Sequence, residues 1–125
     1  MRTDDLYLVD LIDADDDIAA TVAGMDAIAF AANREKRNAV LWGLVVIGEA
    51  AVKLSPKTRG EMANVPWDQV RAFRNRMIHG YFTLQWPIVW DIAALHLPPM
   101  RAEAIRILQK RFPLTFQSWE HTTRC

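Results

Sequence analysis

Ala39-Val40-Leu41-Trp42-Gly43-Leu44-Val45-Val46-Ile47-Gly48-Glu49-Ala50-Ala51-Val52 holds one charged residue, Glu49, and no proline. It sits inside a longer segment, about Arg34 to Leu54, that reads as a helix apolar on nearly all sides, and such a helix belongs at the centre of a domain. Gly43 and Gly48 cost about 1 kcal/mol each in helix propensity relative to alanine, but they let a neighbour approach closely. Glu49 in this apolar surround must be paired, protonated or turned toward a cleft. A carboxylate bonded to an arginine purely for structure satisfies the same requirement. The uninterrupted apolar run, Ala39 to Gly48, is far shorter than the roughly 20 residues needed to cross a bilayer, so no membrane span is expected.

Working outward, Leu8, Leu11, Ile12, Ile18, Ala19 and Val22 recur at helical spacing between Asp4 and about Val22, with Asp10, Asp13, Asp16 and Asp17 mostly elsewhere. This is an amphipathic first helix. Asp15 falls on its apolar stripe, as a polar partner across an interface or as part of a helix end that is not deeply buried. The second reading is preferred, because a buried carboxylate needs a partner. Gly24 ends the helix and Asp26 caps a short turn through Ile28 and Phe30. After the central helix, Ser55-Pro56 is a stop, and Lys57 to Ala63 forms irregular turns. Pro66 restarts the chain, and Trp67, Val70, Phe73, Met77 and Ile78 give the next helix its apolar face. Tyr81 to Gln85 is a loop. Pro87 opens another helix, Pro98-Pro99 interrupts it, and Met100 to Arg111 continues. Residues 113–125 read as a mixed tail, partly ordered through Phe116 and Trp119.

No alternating strand pattern occurs. The expected class is all-α, an up-and-down bundle of four to five helices spanning residues 1–112, followed by the tail. At 125 residues the chain suits one domain. Net charge is zero, but residues 1–33 carry −7 and residues 34–125 carry +7. Lys53, Lys57, Arg59, Arg71, Arg74 and Arg76 near one segment permit a polyanion there. Cys125 is the only cysteine, so no intramolecular disulfide is available, and His79, His96 and His121 are too scattered to suggest a metal site. The segment Met1-Arg2-Thr3-Asp4-Asp5 lacks the order of a secretory signal, and a cytoplasmic location is expected. Trp42, Trp67, Trp86 and Trp90 are expected in the core or an interface rather than as base-stacking platforms.

Usable chemistry gathers in Arg74-Asn75-Arg76-Met77-Ile78-His79-Gly80-Tyr81. Arginine grips a phosphate through paired hydrogen bonds, and histidine exchanges protons near neutral pH. Tyrosine adds a hydroxyl able to bond a phosphate oxygen or accept a transferred group. On a continuous helix Arg74 and His79 lie about 7.5 Å apart along the axis and roughly 140° apart around it. If the helix ends near Ile78, Gly80 lets His79 and Tyr81 fold back toward Arg74. A capped helix end with a packed tyrosine explains the same residue types without any site.

Arg74, His79 and Tyr81 at this spacing resemble the signature of the HEPN superfamily. The chain is similar in particular to its HepT-like branch, whose members pair with minimal nucleotidyltransferase antitoxins of the MntA type. Ile47-Gly48-Glu49-Ala50-Ala51, Leu54-Ser55, Val65-Pro66-Trp67, Arg74-Asn75-Arg76, His79, Tyr81-Phe82, Val89-Trp90 and Leu97-Pro98 follow in the family's order, within a resemblance that covers roughly Asp4 to Leu108. The resemblance implies a homodimeric helical bundle, with two motif helices meeting in a composite, metal-independent ribonuclease cleft. It implies a toxin of a HepT–MntA toxin–antitoxin pair that needs no cofactor. Arg74 would hold the scissile phosphate of an RNA substrate and His79 would move protons. Asn75 would support the phosphate or the histidine, Glu49 would orient the arginine or the histidine, and Tyr81 would accept AMP from the antitoxin. The alternative is a non-catalytic subunit that binds a nucleotide or phosphate and regulates its nucleotidyltransferase partner. Gly80 stands where many relatives carry a charged residue, and the tail after Phe112 matches no family motif.

Overall fold

The structure, a computed structural model, describes residues 2–124. Cys125 lies outside them. Among the described residues there are helices and turns and no strand. The first helix, α1, spans Asp4–Val22, and Gly24 follows it at φ 77°, a left-handed position that favours glycine. Asp26 caps α2 (Ala27–Ala32) by accepting from the Ala29 N–H at 2.8 Å, and Asn33 caps α3 (Arg34–Lys53) through the Lys36 N–H at 3.0 Å. Ser55 caps α4 (Pro56–Glu61), a regular short helix where the sequence suggested irregular turns. The motif helix α5 spans Trp67–His79 and is followed by a 3₁₀ turn at Tyr81–Thr83.

The next segment corrects the expected interruption. Helix α6 (Trp86–Asp91) passes through a π turn at Ile92–His96 into α7 (Leu97–Arg111), which carries Pro98 and Pro99 in its first turn. Neither proline can donate to the preceding turn, and their rings crowd its carbonyls. The backbone widens there by one residue, with the Leu97 N–H reaching Ile92 O, so the prolines produce a π turn in place of a break. The tail is also more regular than expected. It forms α8 (Pro113–Arg124), docked on α1 by Thr115 Oγ1 donating to Asp5 (2.6 Å) and Trp119 Nε1 donating to Asp13 (3.0 Å).

Helix α3 is central as its composition demands, packed between α1 and α5, while α7 closes the other side of α1. Leu8, Leu11, Ile12, Ile18, Val40, Ile107 and Leu108 are buried in one core. Phe30 of α2 is fully buried against Trp86 and Trp90, with ring centroids 6.4 and 5.5 Å away. Both central glycines are close-approach points. A Cβ on Gly43 would sit 2.7 Å from Ile18 of α1, and one on Gly48 would sit 2.7 Å from the Arg74 Cγ of α5. Helices α5 and α7 do not close on each other. They flank an apolar groove of about 880 Å³, with Phe73 and Met77 on one wall and Ile92, Leu97 and Met100 on the other.

Asp15 overturns its expectation. It is 3% exposed, and its Oδ2 has no hydrogen-bond partner among the described residues. Burial, reinforced by the neighbouring Asp16, pushes its carboxyl up to about 7 against the opposing pull of Arg101. Ile78, placed on the apolar face of α5 by its spacing, is about half exposed.

Candidate active site

Helix α5 lies against α3, and polar contacts tie α5 and the turn that follows it to α3. Arg74 Nε donates to Glu49 Oε1 at 2.8 Å, and Nη2 donates to the same oxygen. Near the other end of the seam, the Tyr81 hydroxyl donates to Asn38 Oδ1 at 3.4 Å. Glu49 is therefore paired, and partly exposed at the helix seam despite its apolar neighbours in sequence. Its partner is the very arginine the motif supplies. The remaining arm of that guanidinium, Nη1, donates to Asn75 Oδ1 at 3.1 Å. Glu49 and Asn75 thus hold the arginine fork from two sides. The stem of Arg74 lies directly over Gly48, so any larger residue there would displace the arginine at its Cβ and Cγ.

His79 departs from the expected fold-back. Helix α5 runs through it, so it occupies the last helical turn, five positions beyond Arg74. The two side chains therefore project about 140° apart around the helix. His79 is exposed and has no hydrogen-bond partner among the described residues. Gly80 has ordinary negative φ. The Gly80 N–H donates to Arg76 O at 2.7 Å, and a Cβ at Gly80 would meet Thr83 Oγ1 at 3.0 Å. Tyr81, 43% exposed, does turn back, but onto Asn38 of α3 and not toward Arg74.

The structure thus brings Arg74, Glu49 and Asn75 together, leaves His79 on another side of the same helix, and sets Tyr81 one turn further along. Asn38, which contacts Tyr81, escaped the sequence reading. Arg76, read there only as part of a cationic cluster and of the motif, donates through Nη2 to Thr83 O at 3.2 Å and ties the Tyr81 turn to α5. Asn38 had a signal: it lies eleven residues before Glu49, three helical turns, and so on the same stripe of α3.

A family profile described as "Ribonuclease HepT-like" matches residues 11–107 of this chain. The chain belongs to the HepT-like ribonuclease family. Its relatives include "Putative RNase MJ1380" of Methanocaldococcus jannaschii, 30% identical over 78% of this chain and 89% of that protein. Another is "Putative RNase TTE0752" of Caldanaerobacter subterraneus subsp. tengcongensis, 27% identical over 88% of this chain and 98% of the relative. "Probable ribonuclease HepT" of Thermococcus cleftensis is 23% identical over 78% of this chain and 88% of its own length. No solved structure matches. This HepT-like chain has no helix, among its described residues, long and apolar enough to cross a membrane. No three His, Cys, Asp or Glu side chains among those residues group as metal ligands would.

Proposed function

We propose that this HepT-like chain is a metal-independent endoribonuclease that works as a cytoplasmic toxin, with its cleft assembled from two copies of α5. The observation that carries the reading is the arrangement of α5 itself. It combines a pre-oriented arginine, held by Glu49 and Asn75, with an unpartnered exposed histidine on a different side of the same helix. One chain alone aims these two groups apart. A second α5 brought alongside supplies a histidine and an arginine from the opposite direction, which a symmetric dimer does naturally.

In that cleft, His79 of one subunit takes the proton from a ribose 2′-hydroxyl. The freed oxygen attacks the adjacent phosphorus, and the bond from phosphorus to the 5′-oxygen breaks. The partner subunit's His79 protonates that leaving oxygen. A 2′,3′-cyclic phosphate and a free 5′-hydroxyl result. The two Arg74 side chains offset the charge that builds on the phosphoryl oxygens, and donors already held in place pay little reorganisation cost during the reaction. Tyr81 is the site where an MntA-type nucleotidyltransferase antitoxin attaches AMP. That adds bulk and negative charge beside the place where RNA phosphate must sit, and so silences the toxin.

The test is cleavage of a mixed RNA substrate in the presence of chelator by protein expressed without a partner, compared with His79→Ala. Intact mass establishes that Tyr81 is unmodified. Wild type should cut and leave cyclic phosphate ends, with the variant slower by about 10²- to 10⁴-fold. Two folded dimeric proteins that both fail to cut would instead favour a subunit that binds nucleotide or phosphate without catalysis.

A further inference from the structure

Of the five tryptophans, Trp67, Trp86, Trp90 and Trp119 pack at least partly against the core. Trp42 does not: it is 70% exposed on α3. Its position on that helix is informative. Asn38, Trp42 and Glu49 fall within about 40° of one another around the axis. The outer two touch the motif, Asn38 at Tyr81 and Glu49 at Arg74, which also shows that α3 and α5 run antiparallel. From the Glu49–Arg74 contact, Trp42 lies about 10 Å along α3 and His79 about 7.5 Å along α5 in the same direction. The exposed indole is therefore nearly level with His79.

A second aromatic ring stands beyond it. Phe82 is 97% exposed and meets the Tyr81 ring edge-on at 5.4 Å and 87°. Its backbone is well held. Thr83 Oγ1 donates to Gly80 O at 2.7 Å, and Arg76 Nη2 donates to Thr83 O at 3.2 Å. The backbone that carries this large apolar ring, three residues beyond His79, is thus held while the ring itself faces water. Asn38 lies one turn before Trp42 on α3, and the turn that carries Phe82 follows His79 and is tied to α5 by Arg76, which donates to Thr83 O. Aromatic faces set among cations match a groove for single-stranded nucleic acid, whereas the core of a protein interface is depleted of charge.

We propose that Trp42 and Phe82 form a stacking platform for the nucleobases flanking the phosphate held at Arg74 and His79. The ligand is single-stranded RNA, with little preference among bases because every base offers a π face. The location of that phosphate rests on the ribonuclease reading above. The stacking itself does not require cleavage.

The experiment uses the full-length protein and two probes: a cleavable RNA, and a fully 2′-O-methylated oligonucleotide of the same sequence that cannot be cut. Trp42→Leu and Phe82→Leu keep an apolar side chain but remove the π face. Trp42→Phe and Phe82→Tyr keep an aromatic one. Each leucine variant should raise the Kd for the uncut probe and the KM for cleavage by about five- to a hundredfold, with kcat less affected. The aromatic variants should stay near wild type, and the dimer measured by native mass spectrometry should persist throughout. Leucine variants that bind like wild type overturn the platform while leaving the ribonuclease reading intact, and loss of the dimer would make these residues subunit anchors and overturn it too. A wild type that binds the probe through these rings without cutting RNA supports the platform and removes the ribonuclease. A wild type that neither binds nor cuts overturns both.

Discussion

The carboxylates of α1 and the cations of α5 are charged groups on neighbouring sides of one bundle, yet the fold uses them in opposite ways. Those of α1 are largely committed to packing. Asp4 accepts from the Ser55 N–H at 3.0 Å and from the hydroxyls of Ser55 and Thr58, and Arg111 in turn donates to Thr58 at 2.7 Å. Asp5 and Asp13 hold α8, and Asp16 holds Arg101 of α7 at 2.6 Å. What looks in the sequence like an acidic surface is a set of fasteners. At α5 the ion pair with Glu49 serves to aim Arg74, while His79 and, in the turn beyond, Phe82 are left facing water. A charged run is thus read by what its groups touch, because satisfied polar groups stabilise a fold and unsatisfied, exposed ones remain available to a ligand.

Removing members of each region should separate the two roles. Arg74→Ala is expected to reduce RNA cleavage by about 10²- to 10³-fold with an unchanged melting curve, and Arg74→Lys should restore little, because lysine lacks the fork that Glu49 and Asn75 hold. Steady-state cleavage and thermal melts on the same preparations check this. Gly48→Ala comes next. Its added methyl displaces the Arg74 stem, so cleavage should fall on the order of ten- to a hundredfold, while the helix-propensity gain of about 1 kcal/mol partly offsets the packing strain. A variant as active as wild type would show that the arginine's placement is not critical.

On the acidic side, Asp4→Ala should destabilise the chain by about 1–3 kcal/mol in urea unfolding, because it removes the acceptor for the fully buried Thr58 O–H and for the Ser55 N–H and O–H. Burial acts to raise the Asp4 carboxyl, but hydrogen bonds from Ser55 and Thr58 outweigh it and hold the group below its ordinary value. Its contribution is therefore present at neutral pH and is lost as pH falls through that lowered value. Asp15 has the opposite sign. With its folded value raised to about 7, the stability it permits is full below the ordinary carboxylate range and is lost as pH rises toward 7. Asp15→Asn should therefore stabilise the protein at pH 8 by about 1–2 kcal/mol and have little effect near pH 4. An equal effect at both pH values would mean that Asp15 does not titrate in this window.

Much of the architecture is legible from local chemistry. Asp26, Ser55-Pro56 and Pro66 mark helix boundaries because caps and prolines act within a turn or two of chain. The pairing of Glu49 was half legible: an apolar surround demands a partner but does not name one. Other features depend on what packs against them. Pro98-Pro99 marks an irregularity without showing that α6 and α7 join through a π turn. The side of α1 that carries Asp15 is sealed by distant helices, and the apolar pattern around Trp42 does not reveal that this residue of α3 is left exposed. The departure of His79 from the expected fold-back has a similar origin. Gly80 permits a reversal, but the Arg76 and Thr83 bonds carry α5 through His79 and turn the chain after it.

The most direct measurement of the composite site is a subunit-mixing titration. Wild type and His79→Ala are combined in varying ratios, unfolded together and refolded into randomly paired dimers, and RNA cleavage is measured at constant total protein. If each cleft needs one histidine from each subunit, activity follows the square of the wild-type fraction, so an equal mixture retains about a quarter of full activity. A linear response, with about half the activity retained at equal mixing, would mean that each chain carries a complete site, and would contradict the account.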